Sequence, residues 1–344
     1  MNCYFDFCVL IFEFVYMERI LVTGAAGQIG SELIPALRQR YGADKVVALW
    51  HTAPPAGDLA KSGPGEGLDV TDTVAFDAVL KKYAAKKVFH LASILSALGE
   101  KDPDRAFKVN VAGLYGVFEA ARNNKVAQMM VPSTIAVFGP DIPKDNVPED
   151  VPLHPKTIYG TSKVFQELLG AYYYNKFGLD VRGLRFPGII SYQTEPLFGT
   201  TDYASAIFFA AVRENKYKCY LRADTRLPMM YMPDALKALI DLSEADSVKL
   251  ERRTDYHVAS LSFTAGELAA AVTELSPGFS VTYEPDSRQQ IADSWPASLN
   301  DAAARRDWGW SPKWGLEDMA KDMYENVKRK MQKNNFKLKK RRLL

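Results

Sequence analysis

ILVTGAAGQIG, residues 20–30, is the stretch of sequence that decides the fold. A short apolar run is followed by three glycines, Gly24, Gly27 and Gly30, and then by a helix-forming segment, 31–40. Glycines are needed where a turn takes a positive φ or where backbone must approach a phosphate or a neighbouring strand. A strand, a glycine turn and a helix in this order predict a pyrophosphate bound at the helix N-terminus.

The chain beyond this turn alternates between apolar runs and helical patterns. We predict the next strands at 45–50, 68–72, 87–93, 128–134 and 179–186. Strands that alternate with helices indicate an α/β fold with a parallel sheet, and ligands collect at the carboxyl ends of its strands. The glycine turn, Ala92 and Ser93, and the hydroxyls of Ser133 and Thr134 are therefore expected at one edge of the sheet.

The end of the second predicted strand departs from the usual pattern of dinucleotide-binding folds. An acid is expected there to hold the adenosine ribose, but the residues are Leu49, Trp50 and His51. The sequence also offers no nearby arginine for a 2′-phosphate. These residues therefore do not decide between NAD and NADP.

A tyrosine and a lysine four residues apart on one helix face can share a site. The spacing occurs five times, at Tyr41/Lys45, Tyr83/Lys87, Tyr159/Lys163, Tyr172/Lys176 and Tyr324/Lys328. Only the third pair follows a strand that ends in hydroxyl residues. An ammonium about 5 Å away, at an effective dielectric near 20, is expected to lower the pKa of a phenol by roughly two units. Tyr159 is therefore predicted to accept a proton from an alcohol.

Six motifs carry a resemblance to a known family: TGAAGQIG at 23–30, LDVTD at 68–72, HLAS at 90–93, NVAG at 110–113, PSTIAVFG at 132–139 and YGTSK at 159–163. In this order, they make residues 19 to about 190 resemble the extended short-chain dehydrogenase/reductases. The resemblance implies an α/β fold, a Rossmann doubly wound parallel sheet with helices on both faces and a smaller C-terminal substrate-binding lobe. It also implies NAD as the cofactor.

The resemblance assigns residues by position. It implies Thr134, Tyr159 and Lys163 as catalytic, with Ser133 as the alternative hydroxyl. The implied cofactor-binding residues are Gly24, Gly27, Gln28, Ile29, Gly30, Asp69, Val70, Leu91, Ala92, Ser93, Asn110, Tyr159, Lys163 and Pro187.

Three readings of the function compete. The stretch LPMMYMPDA, 227–235, lacks the basic residues that sugar-nucleotide epimerases and dehydratases of this family carry for a diphosphate. Together with GTTDYA at 199–204 and DSWP at 293–296, it resembles the short-chain type of L-threonine 3-dehydrogenase, which implies L-threonine as the substrate. The third reading, a cofactor-sensing regulator, is disfavoured because such proteins commonly lose the tyrosine or the lysine. The implied substrate-binding residues are Ser96, Thr134, Tyr159, Thr200, Asp202 and Trp295.

Composition narrows the possible partners. The 344 residues carry a net charge of +2, three cysteines and four scattered histidines. We therefore expect no nucleic acid, no membrane, no metal and no disulfide framework. The zinc-dependent, medium-chain type of threonine dehydrogenase is disfavoured for the same reason. We expect an intracellular protein, mitochondrial by resemblance if eukaryotic and otherwise cytoplasmic, without a clear transit peptide.

The expected organisation has four parts. Residues 1–17 read as an N-terminal extension or a mis-assigned start, and 18–190 as the NAD-binding domain. Residues 191–330 read as a substrate lobe interleaved with the last sheet strands, and 331–344 as a basic tail. Helices predicted at 102–123 and 159–177 carry more apolar surface than one sheet face can cover, and the resemblance implies a homodimer through them.

Overall fold

The computed structural model describes residues 19–55, 57–196 and 199–341. The expected N-terminal extension, 1–17, lies outside the described residues. None of the helices in the described part is both long enough and apolar enough to cross a bilayer.

Fourteen strands are present in the described part of the chain: β1 Arg19–Thr23, β2 Val46–Trp50, β3 Gly65–Gly67, β4 Ala85–His90, β5 Gln128–Met130, β6 Ser133–Thr134, β7 Asp180–Arg182, β8 Leu184–Phe186, β9 Gly188–Ile190, β10 Lys216–Cys219, β11 Arg226–Tyr231, β12 Tyr256–His257, β13 Leu261–Thr264 and β14 Ser280–Tyr283.

Twelve α-helices accompany them over the same residues: α1 Gly30–Tyr41, α2 Thr73–Tyr83, α3 Ser96–Lys101, α4 Pro103–Phe107, α5 Leu114–Asn123, α6 Ile158–Phe177, α7 Tyr203–Arg213, α8 Met232–Glu244, α9 Ala265–Leu275, α10 Arg288–Asp293, α11 Ala302–Trp308 and α12 Leu316–Arg341. A π-helical turn, Lys108–Gly113, joins α4 to α5. The last helix continues through most of the basic stretch that we expected to be a separate tail.

The central sheet is parallel and has the strand order β3-β2-β1-β4-β5-β7. Its last two strands are interrupted and continue as β6 and β8, beside which β12 lies parallel. Apolar residues of α1, α8 and α11 cover one face, and those of α2, α5 and α6 cover the other. The predicted doubly wound parallel sheet with helices on both faces is therefore confirmed.

A smaller lobe is formed by later segments of the chain. In it β11 pairs with β9 and β13, β10 pairs with β14, and helices α7, α9 and α12 enclose a third apolar core. Pro187 leads directly into β9. Gly188 of this strand pairs with Met229 of β11, whose side chain leaves no room there for a Cβ.

The third strand lies before the predicted position. Gly65–Gly67 pair with β2, whereas 68–72 form a turn. A Cβ at Gly65 would lie 2.7 Å from the Ala48 carbonyl oxygen, so only glycine lets these strands approach. The Asp69 carboxylate accepts hydrogen bonds from the Thr71 N–H and hydroxyl, and this local bonding replaces a ladder.

The predicted strand 128–134 is split in two. Pro132 has no N–H to donate and separates β5 from β6. The neighbouring strand is also split, at Gly183, where a Cβ would lie 2.7 Å from the Val131 carbonyl oxygen. The interruption leaves the carbonyls of Val131 and Pro132 available to side chains.

Candidate active site

The glycine turn between β1 and α1 is closely packed against the end of β4. Gly24 has a φ of +70°, and a Cβ there would lie 2.9 Å from the backbone of Leu91 and Ala92. A Cβ at Gly30 would lie 2.2 Å from the Gly24 carbonyl oxygen. No side chain caps the N-terminus of α1 at Ile29, and Gln28, Ile29 and Gly30 line the cleft there. Backbone donors at a helix N-terminus fit the pyrophosphate of a dinucleotide.

A cleft runs along the carboxyl edge of the sheet on both sides of this turn. Its adenosine half is a cavity of about 640 Å³, which includes the predicted residues Gly24, Gly27, Asp69, Val70, Leu91, Ala92 and Ser93. Its catalytic half is a cavity of about 240 Å³, which includes Gly24, Gly27, Gln28, Ile29, Gly30, Leu91, Ser93, Ser96, Thr134, Tyr159, Lys163, Pro187, Thr200, Asp202 and Trp295.

Asn110 lines neither cavity. Its amide nitrogen donates to the Ile94 carbonyl and the Ser162 hydroxyl, and its oxygen accepts from Ser93 and the Ile94 N–H. Asn110 therefore holds the loop after β4 from behind.

Tyr159 and Lys163 occupy the first turns of α6. The helix begins there because the Thr157 hydroxyl accepts from the Gly160 N–H. The Tyr159 hydroxyl is hydrogen-bonded to Thr134, and the Lys163 ammonium lies 5.7 Å from the centroid of the Tyr159 ring. The three predicted catalytic side chains are therefore together at the carboxyl edge of the sheet.

Lys163 is held by the interrupted strand. Its ammonium donates to the Pro132 carbonyl at 2.9 Å and to the Gln166 side-chain oxygen at 2.8 Å. Gln166 in turn donates to the carbonyls of Val131 and Pro132. Burial lowers the pKa of Lys163 to about 8, and the Glu167 carboxylate opposes that shift.

The pKa of Tyr159 differs from our expectation. Burial raises the pKa of the phenol to about 12, although the hydrogen bond with Thr134 acts in the opposite direction. The predicted lowering was wrong, because desolvation of the buried phenol dominates its pKa.

The structure separates the roles of the two neighbouring hydroxyls. Thr134 faces Tyr159, and its oxygen also accepts from the Ala136 N–H at 3.2 Å. Ser133 instead donates to the Glu167 carboxylate at 2.5 Å. Glu167 forms a buried ion pair with Arg185, at 2.8 Å. Ser133 also lines the catalytic half of the cleft, but its hydroxyl is engaged in this buried network.

The proposed substrate residues lie beside this corner with different environments. The Thr200 hydroxyl is buried and has no hydrogen-bond partner among the described residues. Trp295 is buried, and its carbonyl accepts from Lys144 at 3.0 Å. Ser96 is buried at the start of α3, whereas the Asp202 carboxylate accepts from the Gly199 N–H and shapes the turn before α7.

Other lining residues were missed from the sequence. His90 lies behind the glycine turn, hydrogen-bonded to Thr23, and burial lowers its pKa to about 3, so it is neutral. His51, Arg105 and Lys108 line the adenosine half. Arg105 and Lys108 are distant from β2 in the sequence, so only the fold reveals that they share its cleft.

Comparison with known proteins adds to this geometry. Residues 20–258 match the model of the NAD dependent epimerase/dehydratase family. An uncharacterised epimerase/dehydratase from Staphylococcus haemolyticus is 43% identical over 317 residues, which is 92% of this chain and 99% of that protein.

Two solved structures are similar over almost their whole length. A GalE-like L-threonine dehydrogenase from Cupriavidus necator, in its holo form, is 44% identical with a TM-score of 0.87, covering 90% of this chain and 99% of that one. A monomeric L-threonine 3-dehydrogenase from a metagenome is 43% identical with a TM-score of 0.86 over the same shares. This chain therefore belongs to the NAD dependent epimerase/dehydratase family of extended short-chain dehydrogenase/reductases, and its cofactor is NAD.

Proposed function

We propose that the chain is an L-threonine 3-dehydrogenase, which oxidises L-threonine to 2-amino-3-oxobutanoate with NAD in threonine catabolism. The observation that carries the proposal is the character of the catalytic half of the cleft. It is a small cavity beside Thr134, Tyr159 and Lys163, and the buried Thr200 hydroxyl lacks a protein partner there. A buried hydroxyl without a partner favours a polar ligand, because leaving it unbonded costs about 1–3 kcal/mol.

The charges of this cavity favour an amino acid over a sugar nucleotide. Among its described lining residues Lys163 is the only cation, and its ammonium is already bound to Pro132 and Gln166. Protein sites for a nucleotide diphosphate commonly add cationic donors, most often arginines, to bind its oxygens. The volume of about 240 Å³ is also small for a cavity that has to hold a sugar nucleotide beside a nicotinamide.

The proposed roles follow from the contacts. Thr134 holds the alcohol oxygen of the substrate, and Tyr159 takes the hydroxyl proton as the C=O bond forms. NAD bound in this cleft would supply the nicotinamide that accepts the Cβ hydrogen of the substrate as hydride. Lys163 stabilises the phenolate by its charge. Ser96, Thr200 and Trp295 bind and cover the amino acid, and Asp202 fixes the turn that carries Thr200. The proposed cofactor residues are those of the cleft, with Asn110 acting through the loop after β4.

The test is NADH formation with purified protein. L-threonine should react, L-allo-threonine much less, and L-serine and UDP-glucose not detectably. L-allo-threonine reverses the configuration at Cβ, so its hydrogen is displaced from the nicotinamide when the carboxylate and ammonium are fixed. Interconversion of UDP-glucose and UDP-galactose without a signal from threonine would instead support an epimerase. NAD binding without turnover of any of these would support the regulator.

A homodimer is the assembly that we propose. Phe107, Tyr115, Leu168 and Tyr172, on α4, α5 and α6, are between 51% and 66% exposed. Leu114 and Phe118 of α5 instead pack into the core against the sheet and are buried. Exposed apolar side chains on neighbouring helices favour a second copy as the partner of this face.

Sedimentation at micromolar concentration tests the dimer. Leu168→Glu should convert it to a monomer, whereas Val248→Glu, at an exposed residue outside this surface, should not. A monomer in the unmodified protein would contradict the proposal. We further propose that residues 18–190 bind the cofactor and that 191–330 form a substrate lobe interleaved with the last sheet strands. The separate apolar core that α7, α9 and α12 enclose supports the lobe, and the packing of α8 and α11 on the central sheet supports the interleaving.

A further inference from the structure

The end of β2 has no carboxylate to receive the adenosine ribose. Its last residue is Trp50, and the indole lies along β3: a Cβ at Gly65 would be 2.7 Å from the Trp50 ring, and one at Gly67 would be 3.6 Å from the indole nitrogen. In dinucleotide folds a carboxylate at this position accepts the ribose 2′-hydroxyl and excludes a 2′-phosphate. Here that position is apolar, with a single N–H donor.

The neighbouring strand does not supply the missing acid. Gly65 and Gly67 have no side chains, and Glu66 is bound to Lys82 at 2.8 Å. The Asp69 carboxylate is already engaged after β3. One of its oxygens accepts the N–H and hydroxyl of Thr71, and the other lies 3.4 Å from His51 Nε2.

Hydrogen-bond donors and cations outnumber carboxylates in the adenosine half of the cleft. The His51 ring is oriented by Thr52, whose hydroxyl lies 2.8 Å from Nδ1. Arg105 and Lys108 line the same cavity, and neither forms an ion pair with any described residue. Its permanently charged lining residues are thus two cations and one carboxylate, so its potential favours an additional phosphate.

We propose that this subsite accepts the 2′-phosphate of adenosine, so that the chain binds NADP as well as NAD. His51 is the specificity-determining residue, because it faces the ribose end from the position after Trp50. Arg105 and Lys108 raise the affinity by their charge. The inference concerns cofactor binding alone and stands whether or not L-threonine is the substrate.

Isothermal titration calorimetry with NAD and with NADP tests the proposal without catalysis. In the unmodified protein the two dissociation constants should agree within about tenfold. Trp50→Asp should raise the ratio of the NADP dissociation constant to the NAD dissociation constant at least tenfold, because a carboxylate then faces the 2′-phosphate. His51→Ala should weaken NADP severalfold and leave NAD nearly unchanged.

A matched control is present in the chain. His154 is another exposed histidine beside a carboxylate, that of Asp141, and it lines neither half of the cleft. His154→Ala should therefore alter neither constant. Raising the salt concentration should weaken NADP more than NAD, because the added attraction is electrostatic. An unmodified protein that binds NADP more than about a hundredfold more weakly than NAD overturns the proposal, and so does a His51→Ala variant that weakens both cofactors equally.

Discussion

The two halves of the cofactor cleft differ in how firmly their polar side chains are held. At the catalytic end Lys163 is buried with two acceptors, and Tyr159 is bonded to Thr134. At the adenosine end the side chains of His51 and Asp69 are 57% and 46% exposed. Proton transfer requires reacting atoms at fixed distances, whereas holding a ribose in water tolerates several arrangements. This difference is consistent with a complete set of Thr134, Tyr159 and Lys163 at the catalytic end and a missing acid at the end of β2.

The largest expected effect tests whether the catalytic end acts through chemistry alone. Tyr159→Phe should lower kcat for L-threonine oxidation by about 10²–10⁴-fold, because the proton acceptor is lost. The NAD dissociation constant should change by less than about threefold, since the adenosine end is untouched. NADH formation and calorimetry measure the two quantities.

Tyr172→Phe is the control for this change, since it removes the hydroxyl of another tyrosine that precedes a lysine by four residues on α6. Its kcat should stay near that of the unmodified protein. Equal losses in the two variants would mean that the helix, and not this phenol, is what the reaction requires.

A second prediction separates the neighbouring hydroxyls. Thr134→Ala should lower kcat about a hundredfold, because the alcohol oxygen loses its hydrogen bond, and Thr134→Ser should recover most of that loss. Ser133→Ala should leave kcat within a few fold. It should lower the free energy of unfolding by about 1–2 kcal/mol, since Glu167 loses a buried donor. A Ser133→Ala variant that folds stably but has a strongly reduced kcat would mean that Ser133, and not Thr134, binds the alcohol oxygen.

The dependence on pH follows from the raised pKa of Tyr159. Because that pKa is about 12, the ionised fraction of the phenol grows as the pH rises anywhere below this value. We expect kcat/KM for L-threonine to rise by up to about tenfold per unit between pH 7 and 9. The loss of the Lys163 proton near pH 8 should flatten the upper part of that rise. A profile that falls over this range would rule out the phenol as the base.

The smallest effect is expected at the adenosine end. Asp69→Asn keeps an oxygen for the Thr71 N–H while removing the charge beside His51. The dissociation constant for NAD, measured by calorimetry, should change by less than about fivefold, and kcat for L-threonine should not change. A loss of kcat comparable to that of Thr134→Ala would mean that the two halves are coupled and not independent.

Sequence reasoning was strongest where the local pattern alone determines the structure. The turn with Gly24, Gly27 and Gly30 determines its own conformation, and the order of strands and helices was enough for the parallel sheet. The third strand was misplaced because Gly65–Gly67 have low strand propensity and pair only through their backbone with β2.

Two properties of the site depend on tertiary burial, which a single sequence does not reveal. The pKa of Tyr159 was expected to fall because its lysine partner is visible in the sequence and its desolvation is not. The different contacts of Ser133 and Thr134 depend on Glu167 of α6 and Arg185 of β8. These two residues form a buried ion pair, and Glu167 accepts the hydrogen bond of Ser133. Arg105 and Lys108 were missed for the same reason.

The interruption of the sheet at Pro132 has a consequence for how mutations act at a distance. In an unbroken ladder the carbonyl of residue 132 would bond to the next strand, but here it bonds to the Lys163 ammonium. The charge of that ammonium is therefore balanced by backbone dipoles and the Gln166 amide, with the Glu167 carboxylate acting only through space. A backbone acceptor is not removed by substituting any side chain. The path of the backbone at Pro132 thus determines the position of Lys163. Substitutions of neighbouring side chains that keep the strand interrupted should therefore be tolerated, whereas substitutions that make the strand continuous should displace Lys163.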